Sequence, residues 1–158
     1  MKKYNWKPYG FWILVTEAVG ALSSWLSREG NKLFQETIRQ PKLSPPPVLF
    51  PVVWGILYAL MGFSATRIYL SEPSANRSRG LNLYIVQLIV NFFWSLIFFN
   101  AQAFGFAFLW LVLLWILVLA MILTFRKTDP VAALLQIPYL LWLTFAAYLN
   151  WGVWKLNG

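Results

Sequence analysis

Residues 103–125 read AFGFAFLWLVLLWILVLAMILTF, and residues 131–154 read VAALLQIPYLLWLTFAAYLNWGVW; neither stretch holds a charged side chain. Roughly 20 apolar residues in a helix cross the hydrocarbon of a bilayer, so each stretch is long enough to span one. A soluble domain of this size would show strand alternation or amphipathic stripes instead. Working outward, three more apolar stretches precede these two, and almost every charge falls between stretches. The sequence predicts an all-α membrane protein, a five-transmembrane-helix bundle forming one domain over residues 1–158. Its spans are expected at about 8–26, 48–69, 81–100, 104–125 and 131–154, with a long loop at 27–47.

Composition removes many chemistries. Hydrophobic residues make up 59% and charged residues 11%, against about 25% charged in soluble domains. Without cysteine there is no disulfide or thiolate. Without histidine the commonest general base, metal ligand and haem axial ligand are missing. The acidic residues Glu17, Glu29, Glu36, Glu72 and Asp129 are scattered, with no pair at helical i, i+3 or i, i+4 spacing. Neither a metal site nor a paired-carboxylate mechanism fits, and no cofactor is expected. The net charge of +8 reads as Lys and Arg meeting lipid headgroups rather than nucleic acid. Lys2, Lys3, Lys7, Arg67, Arg77, Arg79, Arg126 and Lys127 lie on one side of the expected bundle. Arg28, Lys32, Arg39, Lys42 and Lys155 lie on the other. This bias puts the N-terminus in the cytoplasm of a bacterial cell and the long loop outside.

The first stretch, after Lys2, Lys3 and Lys7, is read as a span rather than a signal peptide. It continues through Trp25 and Leu26, and Glu17 is foreign to a signal h-region. The long loop ends in Pro41, Pro45, Pro46 and Pro47, stiff and non-helical before span 2. Residues 31–39 suit a short helix, residues 71–80 read as solvated, and Asp129-Pro130 ends one helix and starts the next.

Polar groups in hydrocarbon mark interiors and sites. Span 3 places Gln87, Asn91, Trp94, Ser95 and Phe98 on one helical stripe. Span 2 does the same with Trp54, Tyr58, Met61 and Ala65, and span 5 with Pro138, Trp142, Phe145, Ala146, Leu149 and Asn150. Gln87 is read as interhelical glue. Trp54, Trp142 and Asn91 are read as cavity walls, because a mid-span indole needs a partner for its N–H. Indoles with a few amides suit a flat, mostly apolar ligand with a polar edge. Glu17, near the middle of span 1, is read as protonated, paired or in a wet crevice. It is either a Glu held by a neighbouring group or a proton-coupled or ligand site.

These residues together resemble the TspO/translocator protein family, also called tryptophan-rich sensory proteins or peripheral-type benzodiazepine receptors. The likeness covers nearly the whole chain. It rests on Pro41, Pro45-Pro46, Phe50-Pro51, Trp54 and Leu57-Tyr58; on Gln87-Leu88, Asn91, Trp94-Ser95 and Phe98-Phe99; and on Pro138-Tyr139-Leu140, Trp142, Phe145-Ala146, Leu149-Asn150 and Trp154. The resemblance implies a dimeric five-helix bundle whose pocket is closed by the first loop. It implies binding of porphyrins such as protoporphyrin IX and haem, of sterols in some members, and of synthetic isoquinoline and benzodiazepine ligands. Pocket positions carry over to Pro46, Trp54, Tyr58, Asn91, Trp94, Trp142, Ala146 and Asn150, and the span-5 stripe adds Phe145 and Leu149. Trp54 and Trp142 match positions tied in some members to light-dependent porphyrin breakdown. The chain departs from the family at Phe34-Gln35, where Trp-Tyr is usual, and at Leu43, where an aromatic is usual. The spacing of Tyr148 and Lys155 also exceeds what the sterol motif allows.

The leading expectation is a membrane receptor or carrier for porphyrin or another hydrophobic small molecule. Rings would stack on Trp54, Trp94 and Trp142, Asn91 and Asn150 would meet polar edges, and loop-1 basic groups would meet propionates. Without His or Cys, selectivity should not depend on a bound metal. The alternatives are a light-dependent porphyrin-degrading enzyme using Trp54 and Trp142, a proton-linked transporter using Glu17, and a regulatory protein for which the ligand is a signal.

Overall fold

Inside a bilayer a backbone can satisfy its polar groups only within a helix or a closed barrel. The apolar stretches lack the alternation of strands, and the chain takes the helical solution. The computed structural model describes residues 5–157; Lys2 and Lys3, counted in the charge bias, lie outside them. In chain order the helices are α1 (Lys7–Leu26), α2 (Arg28–Thr37), α3 (Leu49–Tyr69), α4 (Ala75–Ser95), α5 (Phe104–Thr128), α6 (Pro130–Leu135) and α7 (Ile137–Asn157). A π-helical turn, Leu96–Asn100, extends α4.

Among the described residues four segments are long and apolar enough to cross a membrane: Leu49–Tyr69, Ala75–Asn100, Phe104–Thr128 and Pro130–Asn157. The expectation of five spans is met by composition for these four. At 20 residues α1 has the length, but Thr16, Glu17, Ser23 and Ser24 dilute its hydropathy. It packs along α3 and α4. At Gly62 of α3 a Cβ would fall 2.5 Å from Ile13 Cα, so the two backbones touch where only glycine fits.

Local chemistry sets the ends. Pro8 and Pro130 occupy first turns, where the missing N–H costs nothing. The region 71–80, expected as a solvated loop, is helical from Ala75. Ser74 Oγ caps the Arg77 N–H at 3.0 Å, and Gly80 lies buried against Phe125. Asp129 caps α6 through the Val131 N–H (3.0 Å) and pairs with Arg67 Nε (2.7 Å). The last span is broken at Gln136, two residues before Pro138, whose ring cannot continue the ladder. The expected short helix in loop 1 is α2, beginning three residues earlier than 31.

The main core joins α3, α4, α5, α6 and α7 through Met61, Ala65, Tyr84, Leu114, Met121, Phe125, Ala132 and Tyr139. Polar cross-links run between helices: Ser64 Oγ donates to the Ala132 carbonyl (2.7 Å), Ser23 Oγ to the Phe92 carbonyl (2.7 Å), and the Thr16 and Tyr84 hydroxyls bond each other. Outward-facing Leu14, Leu109, Ile116, Leu134 and Leu141 are exposed, as a lipid-facing surface requires.

Candidate functional site

A cavity of about 390 Å³ opens inside the bundle, within the size range of small-molecule sites. Trp54 and Tyr58 project from α3, Asn91 and Trp94 from α4, and Trp142, Ala146, Leu149 and Asn150 from α7, and all eight line it. Glu17 joins them from α1. The helical stripes produce this convergence, because residues three or four apart share one face. Pro46 and Phe145 do not line the cavity. The neighbouring Pro47 does, while the Pro46 carbonyl accepts the Leu49 N–H (3.0 Å) in the turn into α3. Phe145 sits about 100° around α7 from the centre of the lining face and packs on Trp142 and Tyr148 instead.

The aromatic wall falls into two groups of touching rings. Trp54 stacks on Tyr58 at 5.3 Å between ring centroids and meets Trp142 edge-on at 6.4 Å. Phe50 lies edge-on to Trp142 at 5.9 Å, and Trp94 stacks on Phe98 at 4.9 Å. Loop 1 closes one end through Phe34, Gln40, Pro41, Ser44 and Pro47. Phe34, where the resemblance leads one to expect Trp, is buried against Phe98, Phe99 and Phe104. Leu43 points away, 80% exposed and at φ 72°. Tyr148 ties this loop to α7 by donating to the Lys42 carbonyl (2.9 Å).

The amides behave differently from the expectation that they wait for a ligand. Asn91 Oδ1 accepts from the Tyr58 hydroxyl, and its Nδ2 donates to the Tyr139 hydroxyl, both at 2.8 Å. The Tyr139 hydroxyl donates in turn to Gln87 Oε1 (2.8 Å), so Gln87 is held in an interhelical chain. Asn150 Oδ1 accepts from Trp94 Nε1 (3.1 Å), and its Nδ2 donates to the Phe104 carbonyl (2.9 Å). Both asparagines therefore pin α3, α4, α5 and α7 around the cavity. The mid-span indoles mostly find partners too: Trp110 donates to the Val90 carbonyl (2.7 Å) and Trp115 to Thr144 Oγ1 (2.9 Å). Trp142 Nε1 is buried without one.

Charge also departs from expectation. Among the described residues no Lys or Arg lines the cavity. Arg28 lies over the Trp25 ring at 4.3 Å, and the Arg39 N–H is taken by Asn157 Oδ1 (3.1 Å). The loop-1 residues Arg28, Lys32, Arg39 and Lys42 are thus absent from the lining among the described residues. Several lining residues carried no sequence signal, among them Ser23, Ser24 and Ser27 at the end of α1 and Leu111 and Leu114 of α5. They are ordinary helix residues that face the cavity only because of how the helices pack.

Residues 12–155 match the sequence model of the TspO/MBR family. The chain belongs to that family. It is 39% identical over 123 residues to Protein CrtK of Rhodobacter capsulatus, covering 77% of each chain. It is 35% identical over 141 residues to Tryptophan-rich protein TspO of Chlorobaculum tepidum, covering 89% of each. Against the Translocator protein of Ovis aries it is 34% identical over 154 residues, 96% of this chain and 91% of that protein. As a TspO/MBR protein with four long apolar helices, it is a membrane protein in contact with lipid.

Proposed function

We propose that this TspO/MBR protein is an integral membrane receptor or carrier that binds a flat, mostly apolar ring ligand of the porphyrin type in the Trp-lined cavity. The observation that carries this reading is the aromatic wall of Trp54, Tyr58, Phe50 and Trp142 around about 390 Å³. Ring stacking supplies most of the affinity. Because among the described residues no Lys or Arg lines the interior, carboxylates on one edge of the ring must stay at the mouth beside loop 1. The proposal includes a homodimer, part of whose interface would cover the apolar outer surface, and a cytoplasmic N-terminus.

The test is quenching of tryptophan fluorescence by protoporphyrin IX in the dark, in the parent protein and in Trp54→Phe and Trp142→Phe. Saturable quenching that weakens in both variants supports the reading. Linear quenching, or quenching unchanged in both, refutes it. Haem and the metal-free ring should bind alike, since no His or Cys exists to ligate iron. A second reading, light-dependent porphyrin breakdown, is favoured by the edge-on contact of Trp54 and Trp142, which gives a ring in the cavity two adjacent oxidisable indoles. Bleaching under light that disappears in both variants would support it.

A further inference from the structure

The charge of the cavity points beyond porphyrins. Among the described residues that line it, Glu17 is the one carboxylate, and no Lys or Arg accompanies it. Its position is fixed by packing. Three residues on, at Gly20, a Cβ would overlap the Tyr58 ring, so this face of α1 presses on that ring and Glu17 stands one turn away along it. Among the described residues Glu17 makes no hydrogen bond or ion pair, while Asp129 is held by Arg67 at 2.7 Å. A carboxylate at membrane depth is retained at a cost and marks a site for an opposite charge.

The remaining walls favour the same partner. Trp54 stacks on Tyr58, and Trp142 meets Trp54 edge-on; indole and phenol faces attract cations. Ser24 and Ser27 add small hydroxyl groups on the Glu17 side. One carboxylate, aromatic faces and no positive charge complement a hydrophobic monocation. We propose that the cavity binds an aromatic organic cation, a quaternary ammonium or protonated amine on a fused-ring framework, with Glu17 as its counter-charge. This rests on the cavity being a ligand site and adds a second class of occupant to it.

The experiment compares 10-methylacridinium with its uncharged isostere 9-methylanthracene, titrated into the full-length protein in a non-ionic detergent and corrected for empty micelles. Protoporphyrin IX is titrated in parallel. The cation should bind saturably, about tenfold more tightly than the isostere. Glu17→Gln should bring that ratio close to one. The same variant should bind protoporphyrin IX more tightly, because a charge that opposes its carboxylates is gone, and this opposite shift cannot come from misfolding. A ratio unaffected by Glu17→Gln, or a protein that binds protoporphyrin IX but not the cation, overturns the proposal while leaving the cavity reading standing. If none of the three probes binds saturably, both fail.

Discussion

Trp94 and Trp142 both line the cavity, yet replacing each by phenylalanine should cost stability in the first and little in the second. Trp94 Nε1 donates to Asn150 Oδ1 at 3.1 Å. In Trp94→Phe that acceptor, on a residue 1% exposed, loses its partner, at about 1–3 kcal/mol. Smaller ring area adds about 1 kcal/mol. Trp142 Nε1 is buried with no partner, so Trp142→Phe removes a polar group whose burial already costs about 1–3 kcal/mol. That gain offsets the lost ring area, and net stability should stay within about 1 kcal/mol of the parent. Ligand binding should fall in Trp142→Phe by about fivefold, the worth of part of one aromatic contact. Thermal unfolding in one detergent, followed by dark titration with protoporphyrin IX, measures both. If Trp142→Phe melts as low as Trp94→Phe while binding stays at the parent level, the division between a bonded and an unbonded indole is wrong.

Three further outcomes follow from single contacts. Asn91→Leu removes the acceptor of Tyr58 and the donor to Tyr139 and should cost about 2 kcal/mol in thermal unfolding; an unchanged melt would mean these bonds are replaced by water. Gly62→Ala should destabilise by about 1–3 kcal/mol because its Cβ would meet the Ile13 backbone at 2.5 Å, whereas Gly55→Ala, with nothing within 4 Å, should hold or raise the melting temperature. Leu43 is 80% exposed at φ 72°, so Leu43→Gly should relieve about 1 kcal/mol of left-handed strain and slow proteolysis of loop 1, while Leu43→Val should speed it.

What the sequence made legible follows one rule, the 3.6-residue period. It put Trp54 with Tyr58, Asn91 with Trp94, and Trp142 with Ala146 and Asn150 on faces that the structure brings to one cavity. The same rule overreached at Phe145, which shares a broad face with Trp142 but falls at its edge, because a period alone does not say how wide the inward face is. Loop 1 was less legible for a different reason. Closure by Phe34 depends on contacts with Phe98, Phe99 and Phe104, more than 60 residues distant, and no local pattern encodes them. Helix α1 illustrates a third limit: its Ser and Thr residues weaken the membrane signal while serving as the cross-links to Phe92 and Tyr84 that hold it in the bundle.

The roles of the polar residues were the hardest to separate, since an amide in hydrocarbon looks the same in sequence whether it holds a helix or a ligand. Hydrogen-bond accounting separates them. Asn91, Asn150 and Trp94 use groups facing the cavity to join helices, so they set its shape and give little further polar recognition. Recognition would fall to groups with no partner among the described residues, and in the cavity wall these include the Trp54 indole and the Glu17 carboxylate, whereas the Trp142 N–H is buried out of a ligand's reach. One is an N–H donor on the edge of an aromatic ring and the other a negative charge. A ligand that satisfies both must combine an acceptor with a cation on a ring system, and a neutral ring can satisfy only the first. Under the cation proposal the cavity discriminates by charge as well as by flatness, and Glu17→Gln and Trp54→Phe should weaken binding of such a ligand independently, with nearly additive free energies, because they act on separate groups of the ligand.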